Sequence, residues 1–159
     1  MPDFVRARKA MVDNQLRTSG ITDRRLLAAM GRVPRELFVP SDRRSLAYID
    51  APHPLQPGRG GRALPAPVLF ARLVQLAAIG ETDRVLDLGC GTGYSTAVLA
   101  AIAGHVVGAD DQLELLAQAR DNLARLGVAN VTLVETSLAQ GAPDEGPFDV
   151  VIVEGAVAA

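Results

Sequence analysis

The chain has 159 residues, 48% hydrophobic and 21% charged, with sixteen Lys and Arg against eighteen Asp and Glu and a net charge of −2. That profile excludes a disordered polyampholyte and a membrane protein, and the length is that of one domain with a real core. Aromatics at 4% and a slightly acidic balance leave neither base-stacking platforms nor a basic footprint, so no nucleic-acid partner is expected.

The N-terminus, MPDFVRARKAMVDNQL, is broken by charges and has no apolar core of a signal peptide. The longest uncharged apolar stretch, Tyr94 to Val107, is too short to span a bilayer, so no membrane partner and a cytoplasmic setting are expected. Phe4, Ala7, Met11, Val12 and Leu16 recur at helical spacing until Gly20. Thr22 or Asp23 can cap a second helix carrying Leu26, Leu27 and Met30, which ends at Gly31 and the Val33-Pro34 step. Asp50 to Pro67 holds five of the ten prolines and reads as a long irregular loop. Pro67 then opens a helix whose apolar stripe is Leu69, Leu73, Leu76 and Ala77.

From Asp83 the pattern changes. Short apolar runs at Val85-Leu86, His105 to Ala109, Val131 to Val134 and Val150 to Val153 alternate with helical segments. Those segments are Ser95 to Ala103, closed by Gly104, and Leu113 to Leu126, closed by Gly127. Strand alternating with helix predicts an α/β class, a Rossmann-like doubly wound, mostly parallel sheet. Residues 1 to 80 therefore form a helical cap and loop, and 81 to 159 the sheet part of one structural domain.

Asp87-Leu88-Gly89-Cys90-Gly91-Thr92-Gly93 follows the first strand and opens a helix. Glycines let the chain turn tightly and a ligand approach the backbone. A dinucleotide fingerprint needs its third Gly at the sixth position, which is Tyr94 here. The second strand ends at Asp110-Asp111, where an acid can take ribose hydroxyls; Asp110 is the first choice and Asp111 the second. The bland alternative is a Rossmann-like turn kept for packing.

The Asp-x-Gly-x-Gly-x-Gly loop resembles motif I of the S-adenosylmethionine-dependent methyltransferases. Upstream, Met11-Val12-x-x-Gln15-Leu16-Arg17, Gly20-Ile21-x-Asp23, Ala29-Met30-x-x-Val33-Pro34-Arg35, Phe38-Val39-Pro40, Ala47-Tyr48-x-Asp50 and Pro54-Leu55 resemble the entry helices of the protein-L-isoaspartate O-methyltransferases. The resemblance runs from about residue 9 to the last. It implies S-adenosyl-L-methionine as cofactor and methyl transfer to the carboxylate of an isoaspartyl residue in a damaged protein or peptide. It also implies that Asp87, Gly89, Cys90, Gly91, Gly93, Tyr94, Asp110, Asp111, Ser137, Leu138 and Glu154 hold the cofactor.

Two departures stand out. The family's Gly-x-Thr-Ile-Ser-x-Pro loop is Gly61-Arg62-Ala63-Leu64-Pro65-Ala66-Pro67 here, so Ala63 and Pro65 replace the Thr and Ser whose hydroxyls face substrate. The catalytic assignment is therefore left open over Arg62, Ala63, Leu64 and Pro65, and the alternative function is a cofactor-binding paralogue acting as a regulatory or interaction module. The family's Gly-Asp pair after the third strand becomes Thr136-Ser137, so Ser137 replaces the acid that accepts the adenine amino group.

Cys90, the only cysteine, excludes internal disulfides and reads as a small residue beside the cofactor rather than a nucleophile. With His53 and His105 the only histidines, no metal site is expected. His53 reads as a solvated loop residue and His105 as structural. Arg59 and Arg62 are either a solvated lid or a clamp on a substrate carboxylate. Glu154-Gly155-Ala156 lacks the Asn/Asp-Pro-Pro-aromatic motif of amino-methylating enzymes, and Glu154 is expected at the crevice. The resemblance implies seven strands ordered 3-2-1-4-5-7-6, of which four are visible. The apolar run Val150 to Val153 would then be an exposed edge, which predicts an incomplete chain or a homodimer paired through that strand.

Overall fold

The computed structural model describes residues 1–57 and 61–155, in two compact units, Met1–Ala78 and Ile79–Ala159. In the first, Asp3 caps α1 (Phe4–Ala10) by accepting the Arg6 N–H at 3.0 Å. The expected single helix then loosens into a π-turn stretch, Met11–Leu16, and a 3₁₀ turn, Arg17–Ser19, and stops at Gly20 with φ +84°. The wide turn still buries Met11, Val12 and Leu16, so the apolar spacing was satisfied by a winding that it could not distinguish from an α-helix.

Of the two candidate caps for α2 (Arg24–Arg32), Asp23 serves, accepting from the N–H groups of Arg25 and Leu26. Gly31 lies inside the helix, and Val33 leaves it in extended conformation because Pro34 follows. The Asp50 to Pro67 stretch is not wholly irregular. β1 (His53–Pro54) and β2 (Ala63–Leu64) pair antiparallel, with His53 opposite Leu64. That pairing turns His53 inward to full burial, which corrects the expectation of a solvated histidine; burial also lowers its pKa.

The buried face of α3 (Pro67–Ala77) likewise differs from expectation. Phe70, Ala71 and Val74 are buried, whereas Leu69, Leu73 and Leu76 are exposed. PVLFARLVQLA is apolar nearly all round, so periodicity alone does not choose a face. Inside the unit, the Tyr48 hydroxyl donates to the Glu36 carboxylate and accepts from Arg8 Nε at 2.8 Å and the Arg35 N–H at 3.0 Å. Gln15 donates to the Tyr48 carbonyl, and Asp50 accepts the Val68 N–H at the start of α3. Gln75 accepts from the Thr22 and Asp23 N–H groups and donates to Gly20 O, joining α3 to the turn before α2.

The second unit is β3 (Arg84–Leu88), α4 (Tyr94–Ala100), β4 (His105–Asp110), α5 (Leu113–Arg125), β5 (Val131–Glu135) and β6 (Val150–Val153). Both helices end about a residue or a turn before the expected limits. All four strands are parallel in the order β5-β4-β3-β6. Alternation along β3 sends Leu86 and Leu88 to a core with Val107, Ala109, Ala142 and Phe148, and Asp87 to the opposite face. On that face α4 is buried at every residue, and α5 buries Leu115, Leu116, Ala119 and Leu123. His105 pairs across strands with Thr132 at 2.9 Å, a structural role. On β6 only Ile152 is buried; Val151 and Val153 are exposed, so the run is not covered on both faces by the described residues.

Candidate functional site

The carboxyl ends of β3, β4 and β6 meet at one place. Asp87, next to last in β3, is fully buried, and its Oδ2 accepts from Ser95 Oγ at 2.6 Å and Thr96 Oγ1 at 2.7 Å. Both hydroxyls come from the first turn of α4, eight and nine residues on. The other oxygen, Oδ1, is buried with no hydrogen-bond partner. The Glu154 N–H donates to Leu88 O, which continues the β6 pairing and brings its carboxyl to 2.5 Å from Ser95 Oγ. Asp87 and Glu154 thus face one hydroxyl.

Between β3 and α4 the chain turns on Gly89, Gly91 and Gly93, with φ of +83°, +57° and +95°. Side chains rarely adopt that region, so glycine is needed for the turn itself. The loop is tied down from several sides. Gly89 and Cys90 donate to Ala109 O, Asn122 of α5 donates to Thr92 O, and Gly91 donates to Asp110 Oδ2 at 2.9 Å. The second Asp110 oxygen accepts the Gln112 N–H at 3.1 Å. Asp110 is fully buried and braces the loop against the end of β4, while Asp111 is exposed.

Gly108, in mid-β4, leaves room for this arrangement. A Cβ there would lie 2.9 Å from Leu133 Cδ2, 3.1 Å from Thr96 Oγ1 and 3.3 Å from Cys90 Sγ. Tyr94 is fully buried. Ser137 is exposed and accepts the Gln140 N–H, and Leu138 is half-buried. Arg62, Ala63, Leu64 and Pro65 belong to the first unit, on and beside β2; Arg59 lies outside the described residues.

Electrostatics separate the acids. Burial first, then the charge of Asp87, pushes the Glu154 carboxyl well above the usual carboxylate range. Burial also raises Asp87, opposed by the hydrogen bonds of Glu154, Ser95 and Thr96. Burial, with Asp87, Asp110 and Glu154 around it, pushes the Cys90 thiol up and so disfavours the thiolate that a nucleophile needs. Ser95, Thr96, Asn122 and Gly108 were not singled out from sequence. The readable signal was a pair of hydroxyl residues one turn beyond an Asp-x-Gly-x-Gly-x-Gly loop.

Residues 6–159 match the family described as protein-L-isoaspartate(D-aspartate) O-methyltransferase. The chain belongs to that family. It is 45% identical over 150 residues to protein-L-isoaspartate O-methyltransferase 2 of Anaeromyxobacter sp. (strain Fw109-5), covering 94% of this chain and 60% of that relative. The chain thus spans 60% of the length of this relative. A solved protein-L-isoaspartate O-methyltransferase superposes with a TM-score of 0.80 at 28% identity, over 92% of this chain and 47% of the other. A Plasmodium falciparum protein named for the same methyltransferase, solved with S-adenosyl-L-homocysteine, shares the fold at a TM-score of 0.71 and 22% identity, over 92% and 72% of the two chains. The family's parallel α/β sheet is the one seen here. No helix among the described residues is long and apolar enough to cross a membrane, and none of their His, Cys, Asp and Glu clusters could hold a metal.

Proposed function

We propose that the chain binds S-adenosyl-L-methionine on the second unit and transfers its methyl group to a carboxylate, in the first instance that of an isoaspartyl residue in an aged protein. The observation that carries this reading is Asp87: a buried carboxylate oxygen with no partner, at the carboxyl edge of the sheet beside a glycine turn. An unpartnered buried acceptor is costly unless something occupies it, and a cationic or N–H-bearing ligand suits it. Asp110, fully buried at the end of β4, accepts the Gly91 and Gln112 N–H groups and so sets the glycine turn beside Asp87. The relatives named above carry the same activity in their names.

When bound, the cofactor supplies an electrophilic methyl group on a sulfonium. This chain has little acid–base work to do, since a carboxylate is ionised at neutral pH (unperturbed pKa of about 4). Its own residues would bind, orient and exclude water: Asp87 and Glu154 at the charged end, the Gly89–Gly93 turn along the backbone approach, and Ser137 and Leu138 at the end of β5.

Asp87→Asn is expected to weaken binding by about tenfold to a hundredfold, the loss of a charge-assisted hydrogen bond, with the fold unchanged by circular dichroism. Calorimetry with S-adenosylmethionine measures this, and no binding of it or of S-adenosylhomocysteine to the parent chain would overturn the reading. Radiolabel transfer to an isoaspartyl peptide tests the substrate. The replacement of the family hydroxyls by Ala63 and Pro65 favours a second reading, a cofactor-binding regulatory module, for which tight binding without transfer is the expected result. We further propose a cytoplasmic setting, which a single buried thiol suits, and a homodimer paired through the Val150–Val153 edge. Sedimentation should show concentration-dependent dimerisation that Val151→Lys abolishes; a monomer throughout would sink the dimer.

A further inference from the structure

We propose that Glu154 is a protonated acid in the ligand-free chain, donating to Ser95 as Ser95 donates to Asp87, and that a cationic ligand at Asp87 expels this proton to solvent, so that cofactor capture is coupled to release of one proton. The inference rests on the cofactor reading above. A serine hydroxyl carries one hydrogen. Ser95 Oγ stands 2.6 Å from Asp87 Oδ2 and 2.5 Å from Glu154 Oε2, too close for two ionised carboxylates to share one hydroxyl proton. One of the three oxygens facing each other must bring a second proton.

Asp87 is the better anion of the two. It already accepts from Thr96 at 2.7 Å as well as from Ser95. Glu154 has no such second donor, since the Thr96 hydroxyl gives its hydrogen to Asp87. The groups facing the pair come from every element of the site: Ser95 and Thr96 from α4, Cys90 from the glycine turn, and Asp110 from the end of β4. The charged groups that move the Glu154 titration, Asp87 and Asp110, are both acids. A ligand cation beside the free Asp87 oxygen reverses that field and makes the second carboxylate favourable.

The sign of the pH effect follows. A carboxyl with a raised folded pKa holds, when folded, a proton that the unfolded chain releases above about pH 4.3. Stability of the free chain therefore falls as pH rises from there through the folded value. Ligand affinity moves the other way, tightening about tenfold per pH unit while one proton must leave.

Three measurements test this. Infrared difference spectra at pH 7 should show a protonated-carboxyl band in the free chain that Glu154→Gln removes and saturating S-adenosylmethionine abolishes. Calorimetry in buffers of different ionisation enthalpy should give one proton released on binding in the parent chain and none in Glu154→Gln, whose affinity is flat with pH. 5′-Methylthioadenosine, which lacks the cationic groups, should bind without releasing a proton. Binding with no carboxyl band, equal proton release by Glu154→Gln, or release by methylthioadenosine would each overturn the inference. A carboxyl band with no S-adenosylmethionine binding would leave the proton in place and bring down the cofactor reading and the coupling together.

Discussion

Gly93→Ala is expected to lower the stability of the chain by about 2–4 kcal/mol, and to weaken cofactor binding with it. Two costs combine at this position. Gly93 has φ +95°, where a side chain costs about 1–2 kcal/mol. A Cβ there would also sit 3.2 Å from Ala119 Cβ and 3.3 Å from Ala119 Cα of α5, and overpacking of that kind costs about 1–3 kcal/mol. The second contact is with backbone, so no rotamer change relieves it. Gly108→Ala is the useful contrast. Its nearest contact, the tip of Leu133 at 2.9 Å, can swing away, but Thr96 Oγ1 at 3.1 Å is held by Asp87 and cannot. Gly108 has no positive φ, so Gly108→Ala should show the packing cost alone, without the backbone cost of Gly93→Ala. Urea unfolding of both variants, and of Ala119→Gly with and without Gly93→Ala, separates the costs: the coupling between the two sites is the part due to the Ala119 Cβ contact, the rest belonging to the backbone. A loss below about 0.5 kcal/mol for Gly93→Ala would mean that α5 can retreat from the turn.

The sheet half of the molecule was readable because its signals are local. Each of the four apolar runs is bounded by glycine, asparagine or charge, and β3 and β4, buried along most of their length, have few other residues to offer. The Asp-x-Gly-x-Gly-x-Gly turn was readable for the same reason: the backbone itself demands glycine at all three positions. What escaped depends on contacts distant in sequence. The face of α3 could not be chosen, because Leu69, Leu73 and Leu76 are as apolar as the Phe70, Ala71 and Val74 that are buried. His53 looked like a loop residue until the two-residue ladder with Ala63 and Leu64 turned it inward. Glu154 was placed at the crevice, but its partnership through Ser95 with Asp87 joins residues 59 and 67 positions apart. The residues of the family resemblance in the first unit proved to be fastenings: Gln15 on the Tyr48 carbonyl, Tyr48 on Glu36 and Arg35, Asp50 on the start of α3.

Arg35→Met should destabilise the first unit by about 3–5 kcal/mol, and its effect should reach the loop that carries Ala63 and Pro65. Arg35 is fully buried, donating through Nε to Ala47 O at 2.6 Å and through Nη2 to Pro65 O at 2.8 Å. Hydrogen bonds from a charged donor contribute about 1.5–3 kcal/mol each, and methionine fills the volume while leaving both carbonyls unpaired. Release of the buried charge offsets part of this loss, which is why the upper end is not expected. Arg35→Lys should fall between, since one ammonium cannot span two carbonyls that the guanidinium fork reaches together. The Pro65 bond makes the prediction specific. Proline at this position lacks the family's hydroxyl but keeps its carbonyl, and that carbonyl is what Arg35 holds. Tryptic cleavage after Arg62, timed by mass spectrometry under native conditions, should therefore quicken in Arg35→Met by more than the global stability loss explains. Equal quickening in a variant of matched stability, altered only in the sheet unit, would assign Arg35 to packing and remove it as the anchor of the loop.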